Sequence, residues 1–241
     1  MAEFERQTFN SRSANAAMID EGLRSYMLKV YNYMSIGLGI TGVVAFFFNQ
    51  YVMANPAVAE LVYGSPLKWV IALAPLAFIL VLSFGINKMS AATAQLTFWA
   101  FSTVMGLSLA SIFLLYTGTS IARVFFITAA TFGAMSLYGY TTKRDLTGMG
   151  SFLFMGLIGI IIASIVNMFI GSSALEFGIS VIGVLVFVGL TAYDTQKIKE
   201  EYLESDGAEI MGKKAIMGAL RLYLDFINLF LMLLRLFGNR N

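Results

Sequence analysis

An all-α, polytopic membrane protein is the fold class this sequence predicts, on three observations. Of its 241 residues 58% are hydrophobic and only 12% charged, with a mean hydropathy of +0.77, whereas soluble domains carry about 25% charged residues. The apolar residues gather into runs of about 20, long enough to cross a hydrocarbon core of about 30 Å. Connections between the runs are short and no linker or repeat divides them, so a single domain is expected.

Residues 1–27 mix acids and bases, with no short apolar core ahead of a small-residue cleavage site. They read as a polar, partly amphipathic cytoplasmic tail and not as a signal peptide. Seven transmembrane helices then fill 28–238, with spans near 30–48, 68–87, 95–117, 121–141, 151–171, 177–197 and 215–236. Pro75 falls inside the second and is expected to kink it, since its ring removes one backbone hydrogen bond. Small residues recur four apart in the first span (Ser35, Gly39), the third (Ser102, Gly106, Ala110) and the fifth (Gly159, Ala163), as helix-packing rows do. The connection at 198–214 is the longest, and its acids at 200, 201, 204, 206 and 209 read as a solvated charge run.

Basic residues orient the bundle. With the N-terminus cytoplasmic, eleven fall inside: Arg6, Arg12, Arg24, Lys29, Lys88, Lys143, Arg144, Lys197, Lys199, Lys213 and Lys214. Four fall outside: Lys68, Arg123, Arg235 and Arg240. Seven spans leave the C-terminus external, and a re-entrant last segment is the alternative that Arg235 and Arg240 suggest.

The absence of histidine and cysteine excludes Ser–His, Cys–His, disulfide and His- or thiolate-ligated metal chemistry. No catalytic set, cofactor or nucleic-acid partner is expected; no basic patch interleaved with aromatics is present. The sites that stand out are Asp194 and Asp225, each inside an apolar span. A carboxylate there costs roughly 2.5–3.5 kcal/mol on insertion scales, so it needs a partner or a task. Phe187, Thr191, Asp194 and Thr195 are read as one helix face, and Arg221, Asp225, Asn228 and Met232 as another. Two carboxylates brought together in low dielectric cannot both ionise cheaply, so they share a proton. Without that proton the pair is an anionic, oxygen-rich spot, which Thr191 and Asn228 extend into a weak Ca²⁺ site suited to permeation.

A structural reading competes. Arg221 and Asp225 are i,i+4 neighbours able to neutralise each other. Asp194 lies about 5 Å from the inner edge of its span and Asp225 about 15 Å, at about 1.5 Å per residue. Tilt, or a seventh helix that starts later, must close that gap.

The stretches LTAYDTQKIK (190–199), GYTTKRDLTGMGSFL (139–153) and LYLDFINLFLMLLRLFG (222–238) resemble the Bax inhibitor-1-like family, prokaryotic type, and the hydrophobic spacing fits from about 24 to 238. The resemblance implies six helices around a central C-terminal one, and a pH-sensitive calcium leak channel or exchanger-like protein in a bacterial inner membrane. Its aspartate pair would be Asp194 and Asp225. It also implies a cationic latch from the second helix, for which Lys88, beside Asn87, is the nearest candidate, although lysine cannot form a bidentate clamp. Arg221 would tune the charge of the pair. Ca²⁺, H⁺ and lipid are the partners so implied.

Two rivals remain. A non-conducting regulator that binds membrane proteases or other membrane proteins also fits the family. An intramembrane aspartyl protease would place a Tyr-Asp on one span and a Gly-x-Gly-Asp on the next; here only Tyr193–Asp194 matches, and the second motif is Tyr-Leu-Asp. A retinal pump is excluded because the last span has no central lysine.

Overall fold

The structure, a computed structural model, describes the backbone of residues 2–241 and side chains from Asp20 onward, so most side chains of the tail read over 1–27 lie outside it. Seven long helices follow one another: α1 (Ala2–Ala54), α2 (Leu67–Gly85), α3 (Ala91–Leu109), α4 (Gly118–Thr141), α5 (Thr147–Ile170), α6 (Ser173–Glu200) and α7 (Ala208–Phe237). Seven segments are long and apolar enough to span a bilayer, the first of them 20–54, and they coincide with the seven expected from sequence. Large apolar side chains point outward from α2 and α5, where Phe84 and Phe169 are 80% and 83% exposed. In water that surface would be costly; in lipid it is the expected exterior.

Helix α7 is the core. It is buried along most of its length and packs against α6, α1, α4 and α3, while α2 rests on α3 and α5 rests on α6. The central helix therefore has four direct neighbours, and the two outriggers α2 and α5 wall a cleft at its remaining side. Tyr223 fixes the centre: its ring meets Phe98 and Phe101 of α3 edge-on. Thr41 spends its only proton on the carbonyl of Ser102 (2.8 Å), so the Tyr223 hydroxyl is the donor in their 2.6 Å bond. A second chain runs from Tyr31 through Ser136 to Thr195. Thr195 donates to the carbonyl of Thr191, so the 2.9 Å and 2.7 Å bonds before it point from Tyr31 inward. These two relays tie α1, α3, α4, α6 and α7 without leaving a hydroxyl unpaired in hydrocarbon.

The small-residue rows divide in two. A Cβ on Gly106 would lie 2.8 Å from the backbone of Thr41, so the row of Ser102 and Gly106 does let α3 press against α1. A Cβ on Gly39 or Gly159 would meet nothing within 4 Å, so these two glycines border open space, while Ala163 of the α5 row packs against the core. The closest backbone approach is at Gly139, where a Cβ would overlap the carbonyl of Ala192. Gly139→Ala is expected to force α4 from α6 and cost about 1–3 kcal/mol, read as a lower unfolding midpoint in detergent; Gly159→Ala should leave the midpoint unchanged.

Helix α7 is unbroken to Phe237, so its two ends lie on opposite faces of the bundle and the re-entrant alternative does not hold. One face carries the connections at 86–90, 142–146 and 201–207 and is the basic face. On the far face the last residues are clasped to the start of α4: Asn239 donates its N–H to Ser120 Oγ (2.9 Å) and accepts from the N–H of Thr117 (3.1 Å). Arg240 reaches Glu176 at 3.3 Å. Helix α2 runs on through Pro75, which faces the cleft.

Candidate functional site: a buried carboxylate pair in a membrane cleft

Helices α6 and α7 form an antiparallel pair whose register brings the aspartates together. A Cβ on Gly218 would contact Ile198, and one on Gly183 would contact Met232, so the two helices keep step along their length. Asp194 lies four residues beyond Ile198 and Asp225 seven beyond Gly218, which sets them within about 4.5 Å of one level. The depth gap expected from sequence is closed by register: α7 begins ten residues before Gly218, so about 15 Å of it precedes its contact with Ile198. The two side chains line the same cleft close enough to interact directly. Asp225 is buried, and its Oδ2 has no hydrogen-bond partner in the protein.

The pair opens onto the cleft between α2 and α5, a space of about 1120 Å³. From α6 the lining residues are Phe187, Leu190, Tyr193, Asp194 and Lys197, followed by Glu201 at its C-cap; from α7 they include Arg221, Asp225, Asn228, Leu231 and Met232. The polar residues thus occupy the part nearer the basic face. Beyond Asn228 the walls are mostly apolar, with Met105, Leu109, Ile165, Met168, Leu231 and Met232, interrupted by the hydroxyls of Ser108 and Ser164.

Of the residues expected at the site, Asp194, Asp225, Arg221 and Asn228 are brought together. Asn228 Nδ2 donates to the carbonyl of Leu224 (2.8 Å), so its Oδ1 is not needed by its own helix. Thr191 is not part of the cleft. It is fully buried with its hydroxyl on the carbonyl of Phe187 (2.7 Å). The cleft stripe on α6 runs 187, 190, 194, 197 and 201, and Thr191 and Thr195 turn about a quarter of a circle away toward α4. Lys88 is also elsewhere: it ends an exposed turn, Ile86–Lys88, and has no ion pair among the described residues. Lys88 is not among the residues that line the cleft holding the pair.

Sequence reasoning missed Glu201. It was read with the solvated run at 198–214, yet α6 extends to Glu200 and only 201–207 connects the helices. Glu201 accepts from Arg221 Nη1 at 2.6 Å, so Arg221 is paired across helices and not with Asp225 on its own. Lys214 holds the same turn, donating to the carbonyl of Glu201 (2.8 Å) and to Asp206 Oδ2 (2.5 Å). No sequence pattern signals a contact that depends on how seven loop residues fold back; the only hint was Glu201 lying one helical repeat beyond Asp194.

No cluster of three or more carboxylates able to hold a metal ion exists among the described residues. Two carboxylates and an amide oxygen fall short of the six to eight oxygens Ca²⁺ takes, so any cation here would keep much of its water. What the pair can do alone is trade one proton. With it, the two acids can share a hydrogen bond; without it, two anions face each other in a medium that screens them poorly.

A seven-helix membrane protein built on a central C-terminal helix, with two acids paired against it, is the class that fold and site define. The chain belongs to the Bax inhibitor family: the model for "Inhibitor of apoptosis-promoting Bax1" matches residues 23–241. It is 50% identical over 232 residues to inner membrane protein YbhL of Escherichia coli, covering 95% of this chain and 97% of that one. It is 51% identical over 234 residues to an uncharacterized protein of Rickettsia prowazekii, covering 97% of both. An uncharacterized membrane protein of Streptococcus pyogenes is 36% identical over 222 residues, covering 92% of this chain and 96% of its own.

Proposed function

We propose that this chain is a pH-sensitive calcium leak pathway of a bacterial inner membrane, gated by Asp194 and Asp225, with the basic face toward the cytoplasm. The observation that carries this reading is the meeting of two acids beside a cleft within the span, one of them with a buried oxygen that no protein group satisfies. A buried carboxylate oxygen without a protein partner calls for a proton, a cation or a water to complete it, and a site that can exchange these is what a gate requires. The printed name of its Escherichia coli relative supports the inner membrane, and the excess of basic residues on one face supports the orientation.

The proton-bound pair clamps α6 to α7. Raising the pH removes the shared proton, repulsion loosens that contact, and the freed oxygens attract a hydrated divalent cation from the basic-face end of the cleft. The mostly apolar part of the cleft beyond Asn228, walled by Leu231, Met232, Met105 and Leu109, is the barrier that the loosening must widen. Weak coordination favours passage, because the ion must also leave. The test is Ca²⁺ entry into liposomes carrying the purified protein, followed between about pH 6 and pH 8. Flux that rises with pH is expected; the same flux at every pH, or none from folded protein, would overturn the reading.

A further inference from the structure

Arg221 is a cation placed where its orientation bears on whether the pair is free to meet another. It stands one turn before Asp225 on α7, and Arg and Asp four apart on a helix are within reach of each other. Its charge is felt by both Asp194 and Asp225. Yet its guanidinium is turned the other way, onto Glu201, with Nη1 at 2.6 Å from Oε1. The groups facing it are Glu201 in the turn after α6, Asp194 of α6, Asp225 of its own helix and Tyr26 of α1. Lys197 lines the same cleft. The turn that carries Glu201 is itself held, by Lys214 on its carbonyl and by Tyr202, whose ring packs on Tyr26 at 5.7 Å.

From this geometry we infer that Glu201 is a positioning residue for the ion path: by holding Arg221 at the mouth of the cleft, it keeps the guanidinium off the aspartate pair and leaves those oxygens to a permeating cation. The inference rests on the proposed leak function for its meaning, but its geometry is independent of conduction. Released from Glu201, Arg221 has the acids of the pair as its alternatives, Asp194 across the helix contact and Asp225, with its unpartnered Oδ2, one turn away. A charge-assisted bond there would be strong in that environment and would occupy the site with a tethered cation. Glu201 is thereby the residue that sets whether the pair sees an internal cation or an external one.

The absence of cysteine permits a clean test with two readouts. Asn228→Cys places a single thiol beyond the pair, and its rate of reaction with a small cationic methanethiosulfonate reports whether a cation can pass Arg221. Ca²⁺ flux in liposomes is the second readout. Glu201→Gln is expected to lower both by about tenfold, the scale of one charge-assisted hydrogen bond. Adding Arg221→Gln to Glu201→Gln should restore both to within about twofold, an outcome that a merely structural role for Glu201 would not give. Unchanged labelling in Glu201→Gln, or no recovery in the double variant, would overturn the inference whatever the flux. The expected labelling pattern in a protein that carries no Ca²⁺ would uphold the positioning role and sink the leak reading instead.

Discussion

Replacing Asp225 by Asn is expected to abolish the pH dependence of Ca²⁺ flux, and Asp194→Asn to do the same. An amide in either place donates a permanent hydrogen bond to the remaining carboxyl, so the contact between α6 and α7 no longer depends on a proton. Flux should stay near the wild-type value at about pH 6 and fail to rise on going to about pH 8, where wild type gains roughly tenfold for each 1.4 kcal/mol of lost contact. The sign follows from what the pair needs. Its stabilising bond exists only while one proton is held, so raising the pH weakens wild type and leaves the variants unchanged. Measured as an unfolding midpoint in detergent, both variants should therefore exceed wild type at the alkaline end and converge with it at the acid end. A wild-type profile in either variant would return the aspartates to a structural role.

The largest loss of stability is expected from Tyr223→Ala. That ring is fully buried between Phe98, Phe101 and the central helix, and its truncation leaves a cavity where α1, α3 and α7 meet. Removal of a buried aromatic ring typically costs about 3–5 kcal/mol. Tyr223→Phe keeps the ring and loses only the 2.6 Å bond to Thr41, a cost of about 1 kcal/mol. An unfolding series in mixed detergent should rank wild type, Phe and Ala in that order, with the second gap several times the first. Equal losses would mean that the hydroxyl relay, and not the packing, holds the centre.

Hydropathy alone carried the fold a long way. Runs of about 20 apolar residues have few other uses, so the seven spans and their order were legible. The aspartate pair was legible too, because a carboxylate in hydrocarbon needs a reason and two on consecutive antiparallel helices suggest one. The details that failed depend on rotation and register. Thr191 is three residues from Asp194, close enough to share a face on a rough wheel, yet the actual cleft stripe passes through Leu190 and leaves Thr191 bonded to its own backbone. The depth mismatch came from treating the two spans as starting level, when α7 begins well before it meets α6. Lys88 and Glu201 exchanged importance for one reason: a loop charge has no periodicity, so its partner is set only once the chain turns. Gly39 shows the converse, a member of a small-residue row that borders open space.

Infrared difference spectroscopy across a pH titration tests the shared proton most directly. Wild type is expected to show the carbonyl stretch of a protonated carboxylic acid at the acid end that fades toward the alkaline end; Asp225→Asn should remove this band, and Asp194→Asn should move both its frequency and its midpoint. A wild-type band that persists in Asp225→Asn or stays unmoved in Asp194→Asn, or none in wild type, would contradict a proton held between these two residues, and with it the gate.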